Sequence, residues 1–311
     1  MRYIPCAICG SIRSKKILTS YDKHLRVDTT RFTLVRCADC DLAYLNPQPT
    51  MEELAKYYPP QYPPYQIHYD VLERNYLYNL LKKIKRLIYH HPGTATIQPV
   101  KKSIDTKTHL KVLDFGCGRG SFLLSLREEH PLWDLYGFDI GTNKKVQNID
   151  SSIVISIDTP DSLPANFEKK SFDRIYMNDV LEHVNDPILI LQNLVALLKP
   201  NGNIIIETPN IDSIKFRIFR SNFYSLEIPR HLYHFSPTTL TALCAKCGLS
   251  VENIKCVGSA KGTVRSLYYA LRIRKEKIDP TLLFVIARLT KLFGEKRIND
   301  DSIIVQARKV S

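Results

Sequence analysis

Over its last two thirds the chain alternates strand-length apolar runs with helix-length amphipathic stretches. Residues 110–115 form an apolar run with strand character, and after a glycine-rich turn residues 121–129 carry a helical pattern. Residues 133–138, 153–157 and 171–178 repeat the strand signal. Residues 188–199 read as a helix, and Pro200-Asn201-Gly202 turns the chain into a strand at 203–208. Ser236 is placed to cap a helix whose first residue is Pro237 and which stops at Gly248. Strands at 251–257 and 303–309 close the series. Such alternation predicts an α/β protein built on a largely parallel sheet.

The first third reads differently. Short strands are expected at 16–20 and 31–35, and a short helix at 51–57. Residues 57–65 are rich in tyrosine and proline, an extended stretch that reads as a linker or as a lid whose tyrosines line a substrate mouth. A basic amphipathic helix is expected at 71–89, and a polar linker at 94–108. This divides the chain into an N-terminal module (1–48), a linker with its basic helix (49–108) and an α/β domain (109–311). A helical insertion (262–301) precedes the last strand of that domain.

Charge and cysteines change the picture in two ways. The net charge is +13, concentrated in 1–111 and 211–311, while 112–210 is mildly acidic. Basic flanks favour an anionic acceptor or surface. No apolar run reaches the length of a membrane span, and the N-terminus lacks a signal peptide's apolar stretch, so a cytoplasmic protein is expected. The apolar segment 282–293, with Arg288 and Lys291, is a candidate for peripheral membrane contact or for packing on the domain. Eight cysteines in such a protein are expected to be thiols or metal ligands. Cys6-x-x-Cys9 and Cys37-x-x-Cys40 are two knuckles able to set four thiolates tetrahedrally around structural Zn²⁺, which would stabilise a module too small for its own core. Cys244 and Cys247 share the spacing but lie on the apolar face of a helix, and read as buried small side chains.

The candidate chemistry begins at Asp114, near the end of the first α/β strand, with Gly116, Gly118 and Gly120 behind it. Glycines at alternate positions let the backbone turn sharply and lie against a ligand, and the following helix points its free N–H groups into the same crevice. Asp139 ends the next strand, placed to accept two ribose hydroxyls of a nucleoside cofactor.

The spacing D-x-G-x-G-x-G resembles motif I of the class I S-adenosylmethionine (SAM)-dependent methyltransferases. Two further strings fit the same family: Phe172-Asp173 leading through Asn178 to Asp179-Val180-Leu181-Glu182-His183-Val184, and Leu197-Leu198-Lys199-Pro200 leading through Gly202 to Glu207. The resemblance implies a Rossmann-like, seven-stranded sheet with helices on both faces and an antiparallel closing hairpin. It implies SAM as cofactor, held by Asp114, Gly116, Gly118, Gly120, Asp139 and Asn178. Ile140 would flank the adenine, and Asp158 or Asp161 would meet its amino group. The full layout is similar to bacterial methyltransferases of sugar and polysaccharide biosynthesis, including sugar C-methyltransferases. Those carry adjacent Glu-His after strand five for proton abstraction. Here the place reads Arg230-His231, which leaves O-methylation open.

Methyl transfer from a sulfonium is an in-line displacement that depends on alignment, and a hydroxyl or carbon acid also needs a base. His231 is the first candidate for that base, His183 for positioning, and Glu227 for orienting an imidazole or binding acceptor. The acceptor expected is a small molecule, glycan or glycolipid intermediate. A zinc-ribbon RNA methyltransferase is the alternative, and a SAM-binding protein without catalysis the third.

Overall fold

The structure is a computed structural model that describes residues 1–59, 109–139, 153–157, 167–258, 260–273, 285 and 300–310. The expected helix at 71–89, the linker 94–108, Ile140, Asp158 and Asp161 lie outside the described residues, as does the segment 282–293 apart from Val285.

Two sheets carry the architecture. The smaller has the order β1-β2-β3-β9, from β1 (Ser14–Ser20), β2 (Phe32–Cys37), β3 (Ala43–Leu45) and β9 (Tyr233–His234). The larger has seven strands in the order β10-β11-β8-β7-β4-β5-β6. These are β4 (Lys111–Phe115), β5 (Asp134–Asp139), β6 (Ile153–Ile157), β7 (Phe172–Asn178), β8 (Leu198–Pro209), β10 (Leu249–Val257) and β11 (Ser302–Lys309). Strands β4 to β8 pair in parallel, and β11 runs antiparallel between β8 and β10. The strand–helix alternation predicts the parallel part of this sheet, and the family resemblance implies its Rossmann-like arrangement with a closing hairpin.

Successive side chains of a strand point to opposite faces, and the apolar clusters follow that rule. Leu113, Phe115, Ile204 and Ile206 belong to one cluster, whereas Val112 and Ile205 belong to another. Helix α2 (Ser121–Glu129) packs Leu123 and Leu126 into the second cluster. Helices α3 (Pro187–Leu197) and α5 (Pro237–Lys246) pack into the first, so helices cover both faces. Each such leucine contributes about 1.5–3 kcal/mol through burial.

Local chemistry sets the helix ends. Asp186 caps α3 by accepting from the N–H groups of Ile188 and Leu189, with Pro187 in the first turn. The expected continuation of α3 to residue 199 is not seen. Leu198 is extended (φ −68°, ψ 136°) and pairs with Phe172, because Lys199 precedes Pro200 and is steered away from helix. Strand β8 therefore begins before the expected turn, with a register shift opposite Phe172/Arg174. Ser236 and Thr239 form a reciprocal capping box on α5, and Gly248 (φ +77°) follows its end. Cys244 and Cys247 are buried, as their helical spacing predicts.

Two boundaries differ from expectation. The insertion placed at 262–301 begins earlier, since helix α6 (Ala260–Ala270) starts right after β10, and Ser266 Oγ accepts from the Tyr224 N–H at 2.9 Å. More important, the N-terminal module is not set apart from the α/β domain. Ala43 and Tyr44 of β3 pair with His234 and Tyr233 of β9, and Cys6, Phe32 and Tyr44 share one core with Leu113, Leu232 and Phe235. No helix among the described residues is long and apolar enough to cross a membrane.

Candidate active site

The glycine turn leaves β4 at the centre of the sheet. Gly116, Gly118 and Gly120 all have positive φ (+79°, +52° and +73°), a region costly for other residues. Gly116 is doubly constrained, because a Cβ there would overlap Cγ2 of Val180. The turn is fastened to the end of β5. Gly116 N–H donates to the Phe138 carbonyl at 2.7 Å, and Gly118 N–H donates to Asp139 Oδ2 at 2.7 Å. Gly137, not singled out in the sequence, lets Cys117 pack, since a Cβ there would stand 2.8 Å from Cys117 Sγ. Asp114 is buried, and burial together with the charge of Asp139 raises its pKa to about 7. Asn178 Oδ1, at the end of β7, is buried with no hydrogen-bond partner among the described residues. An acceptor atom left bare at a parallel sheet's carboxyl edge fits a ligand donor.

Across the β7–α3 turn stands a cluster of histidines and carboxylates. The His183 and His231 rings are perpendicular, with centroids 4.5 Å apart. His231 Nδ1 lies 3.0 Å from the Ser225 carbonyl, which can only accept, so Nδ1 carries the proton and Nε2 the lone pair. His183 Nδ1 lies 3.1 Å from the Arg230 carbonyl, an acceptor that favours the same tautomer, and Tyr58 Oη stands 3.0 Å from that nitrogen. Burial and the nearby His183 and His234 drive the His231 pKa well below its ordinary value, so its imidazole is neutral at pH 7. Burial also lowers that of His183.

Glu227 Oε2 and Glu182 Oε1 lie 3.7 and 3.9 Å from His231 Nε2, beyond hydrogen-bond range. Glu182 is 1% exposed, and its Oε2 accepts from Thr208 Oγ1 at 3.0 Å. Its Oε1 has no hydrogen-bond partner among the described residues. Burial and the charge of Asp179 push its pKa well up. Two carboxyl groups, Glu227 and Glu182, thus stand near His231 although the preceding residue is an arginine. Arg230 itself is fully buried. It donates to Glu227 Oε1 (2.9 Å), the Tyr57 carbonyl (3.0 Å) and Asp22 Oδ1 (2.6 Å). Sequence reading missed Glu182, although Glu182-His183 just past a strand end is a visible signal. It also missed Asp22, for which no local signal exists.

The four N-terminal cysteines converge. Cys6, Cys9, Cys37 and Cys40 each offer a sulfur, all within 4.8 Å of one another. Cys6 Sγ is 3.3 Å from Cys40 Sγ, and Cys9 Sγ is 3.5 Å from Cys37 Sγ, with no disulfide among them. Each knuckle ends on a residue of positive φ, Gly10 (+74°) and Asp41 (+65°), which bends the backbone around the sulfurs. Tetrahedral thiolates about 2.3 Å from zinc lie near this spacing, so the set fits Zn²⁺.

Comparison with known proteins points to one family. A family described as methyltransferase domain matches residues 73–254, more than half the chain. The ubiquinone biosynthesis O-methyltransferase of Paraburkholderia phymatum is 26% identical over 175 residues, which cover 51% of this chain and 74% of that protein. Phosphoethanolamine N-methyltransferase 1 of Triticum aestivum is 28% identical over 118 residues, 37% of this chain and about a quarter (24%) of that protein. The solved Haemonchus contortus phosphoethanolamine N-methyltransferase 2, in complex with S-adenosyl-L-methionine, is 16% identical with a TM-score of 0.46. The match covers 79% of this chain and 61% of that one. With the glycine turn on β4, an acid ending β5 and a matching family model over 73–254, the chain belongs to the methyltransferase-domain family and is a class I SAM-dependent methyltransferase.

Proposed function

We propose that the enzyme methylates an oxygen of a small-molecule acceptor, a sugar or glycan intermediate being the class the sequence layout resembles. The carrying observation is His231, whose Nδ1 is committed to the Ser225 carbonyl and whose neutral Nε2 keeps a lone pair beside two carboxylates. Relatives named as an O-methyltransferase and an N-methyltransferase of small molecules support the acceptor's size class. The basic flanks of the chain suit an anionic acceptor.

When bound, SAM supplies an electrophilic methyl on a sulfonium. Asp139 would accept from the ribose hydroxyls, the Gly116–Gly120 backbone would receive the amino-acid portion, and Asn178 Oδ1 would take a ligand donor. His231 Nε2 receives the acceptor's proton, and Glu227, which Arg230 holds on its other oxygen, stabilises the imidazolium. Cys6, Cys9, Cys37 and Cys40 would hold Zn²⁺ in a closed, structural site that takes no part in the chemistry.

The test is transfer of labelled methyl from SAM to fractionated small-molecule extract and to a nucleotide-sugar panel, with the product identified. His231→Gln is expected to lower kcat by roughly 10²–10⁴-fold while S-adenosylhomocysteine (SAH) affinity is kept. Labelling of RNA in place of small molecules would overturn the acceptor class.

A further inference from the structure

Glu182, His183 and His231 each offer one ligand atom, and these atoms lie within 4.8 Å of one another. Glu182 Oε1 and His231 Nε2 are 3.9 Å apart. Donors around a first-row divalent ion at about 2.0–2.2 Å are themselves roughly 3–4 Å apart, so little closure is needed. We propose that these three residues form a second metal centre, distinct from the four cysteines. It takes a divalent first-row cation with open coordination positions toward the acceptor.

Three independent features point the same way. Both imidazoles have Nδ1 beside a backbone carbonyl, Arg230 for His183 (with Tyr58 Oη at the same nitrogen) and Ser225 for His231; a proton on Nδ1 leaves Nε2 as the lone-pair nitrogen of each ring. That is the outer-shell arrangement by which ligating histidines are oriented. Glu182 presents an orphaned oxygen although its residue is 99% out of solvent, a cost that a cation at this place removes. The third feature is rigidity. Thr208 Oγ1 holds the other Glu182 oxygen, and the Glu182 carbonyl accepts from the N–H groups of Leu232 (2.8 Å) and Tyr233 (3.2 Å). The two chain segments that carry the donors are thereby clamped to each other.

The donor set separates this centre from the cysteine cluster. Two imidazoles and a carboxylate suit Mn²⁺, Fe²⁺ or Zn²⁺, whereas four thiolates select zinc-like ions and leave no open position. Three protein donors leave room for two adjacent acceptor oxygens. The acceptor class this implies is a vicinal diol or catechol, chelated so that one hydroxyl is acidified. That hydroxyl gives its proton to the Glu227 carboxylate. Its oxygen forms the new O–CH₃ bond as the C–S bond breaks, and the sulfur keeps the electron pair as a thioether. His231 is then a ligand, and it serves as base only in the cation-free enzyme. The consequence for catalysis rests on the methyl-transfer reading above; binding of the cation does not.

The test is titration of zinc-retaining full-length protein with Mn²⁺, followed by loss of the free-ion EPR signal, with and without SAH. One Mn²⁺ per chain is expected. Glu182→Gln, which keeps the size and the Thr208 contact, and His231→Gln should each weaken it at least tenfold. Added Mn²⁺ should also raise methyl transfer to a vicinal-diol acceptor over the matching mono-ol. Wild-type protein that leaves millimolar Mn²⁺ free, or variants that bind it as well as wild type, would overturn the centre. If Mn²⁺ stays free while SAH binds and methyl transfer proceeds, the cation falls and the methyltransferase reading stands. Failure to bind SAH would strike that reading instead.

Discussion

Asp22 and Arg230 meet at 2.6 Å, both fully buried, although 208 residues separate them in the chain. Asp22 also accepts from the N–H groups of His24, Leu25 and Val27, and Arg230 also holds Glu227 and the Tyr57 carbonyl. The pair therefore joins the N-terminal module to the segment that carries His231. Removing Asp22 leaves buried Arg230 with one carboxylate in place of two and takes the acceptor from three backbone N–H groups, which costs about 3–5 kcal/mol. Asp22→Ala is expected to lose that much in urea unfolding at pH 7. Arg230→Lys should recover only part of it, since an ammonium cannot reach three acceptors spread around a planar fork. An Asp22→Ala protein within 0.5 kcal/mol of wild type would remove the proposed tie.

The glycine turn gives a graded prediction. Gly116 and Gly118 both sit at positive φ, but only Gly116 also faces Val180. Forcing a non-glycine residue into that region costs about 1–3 kcal/mol. Gly118→Ala meets open space and should weaken SAH binding by no more than this strain implies. Gly116→Ala adds the overlap with Val180 Cγ2 and should abolish measurable binding by calorimetry. Val180→Ala in the same chain should restore part of it. Asp139→Asn should weaken SAH binding as well, through the ribose and through the Gly118 N–H that its Oδ2 accepts.

What could be read from the sequence follows from how local each signal is. Strands β4 to β7 and the later part of β8 carry strand patterns in their own residues, and the helix over 121–129 matches α2 because its periodicity is carried by its own residues. Strand β9 is two residues long and owes its existence to β3, so Tyr233-His234 carries no pattern of its own. The boundary between α3 and β8 falls earlier than the pattern places it because apolar Leu197-Leu198 fits either element, and pairing with Phe172 decides it. The histidines were visible as residue types at strand ends. Their tautomers, favoured by the Ser225 and Arg230 carbonyls, exist only in three dimensions.

Acid stability should report the buried histidines. His234 is 3% exposed, and burial lowers its pKa from 6.5 to about 3. Below pH 6.5 the unfolded chain takes a proton that the folded chain refuses, so this contribution is complete above 6.5 and lost as pH falls toward 3. Between pH 7 and 5 it amounts to about 2 kcal/mol. Asp114 and Glu207, raised to about 7 and about 9 chiefly by burial, act in the opposite direction and lose their contribution as pH rises through those values. Comparison with His234→Phe isolates the histidine. The variant should show a pH 7 to pH 5 loss smaller by about 2 kcal/mol, and an unchanged slope would show that His234 titrates normally.

The four-cysteine cluster makes the last prediction, because a metal held there would reach the chemistry only through the fold. Strand β2 ends on Cys37, pairs with β3, and β3 pairs with β9 next to His231. A site that holds Zn²⁺ contributes its binding energy to folding. Metal analysis should return one zinc per chain, Cys37→Ser should lose it, and Cys247→Ser, on the buried helix end, should keep it. Stripping zinc with a chelator should lower Tm and reduce kcat in parallel, with loss of near-ultraviolet dichroism from Tyr44 and Tyr233, which sit opposite each other across the β3–β9 pair. Zinc-free protein with full activity and unchanged Tm would mean that the thiols hold the module together without a metal.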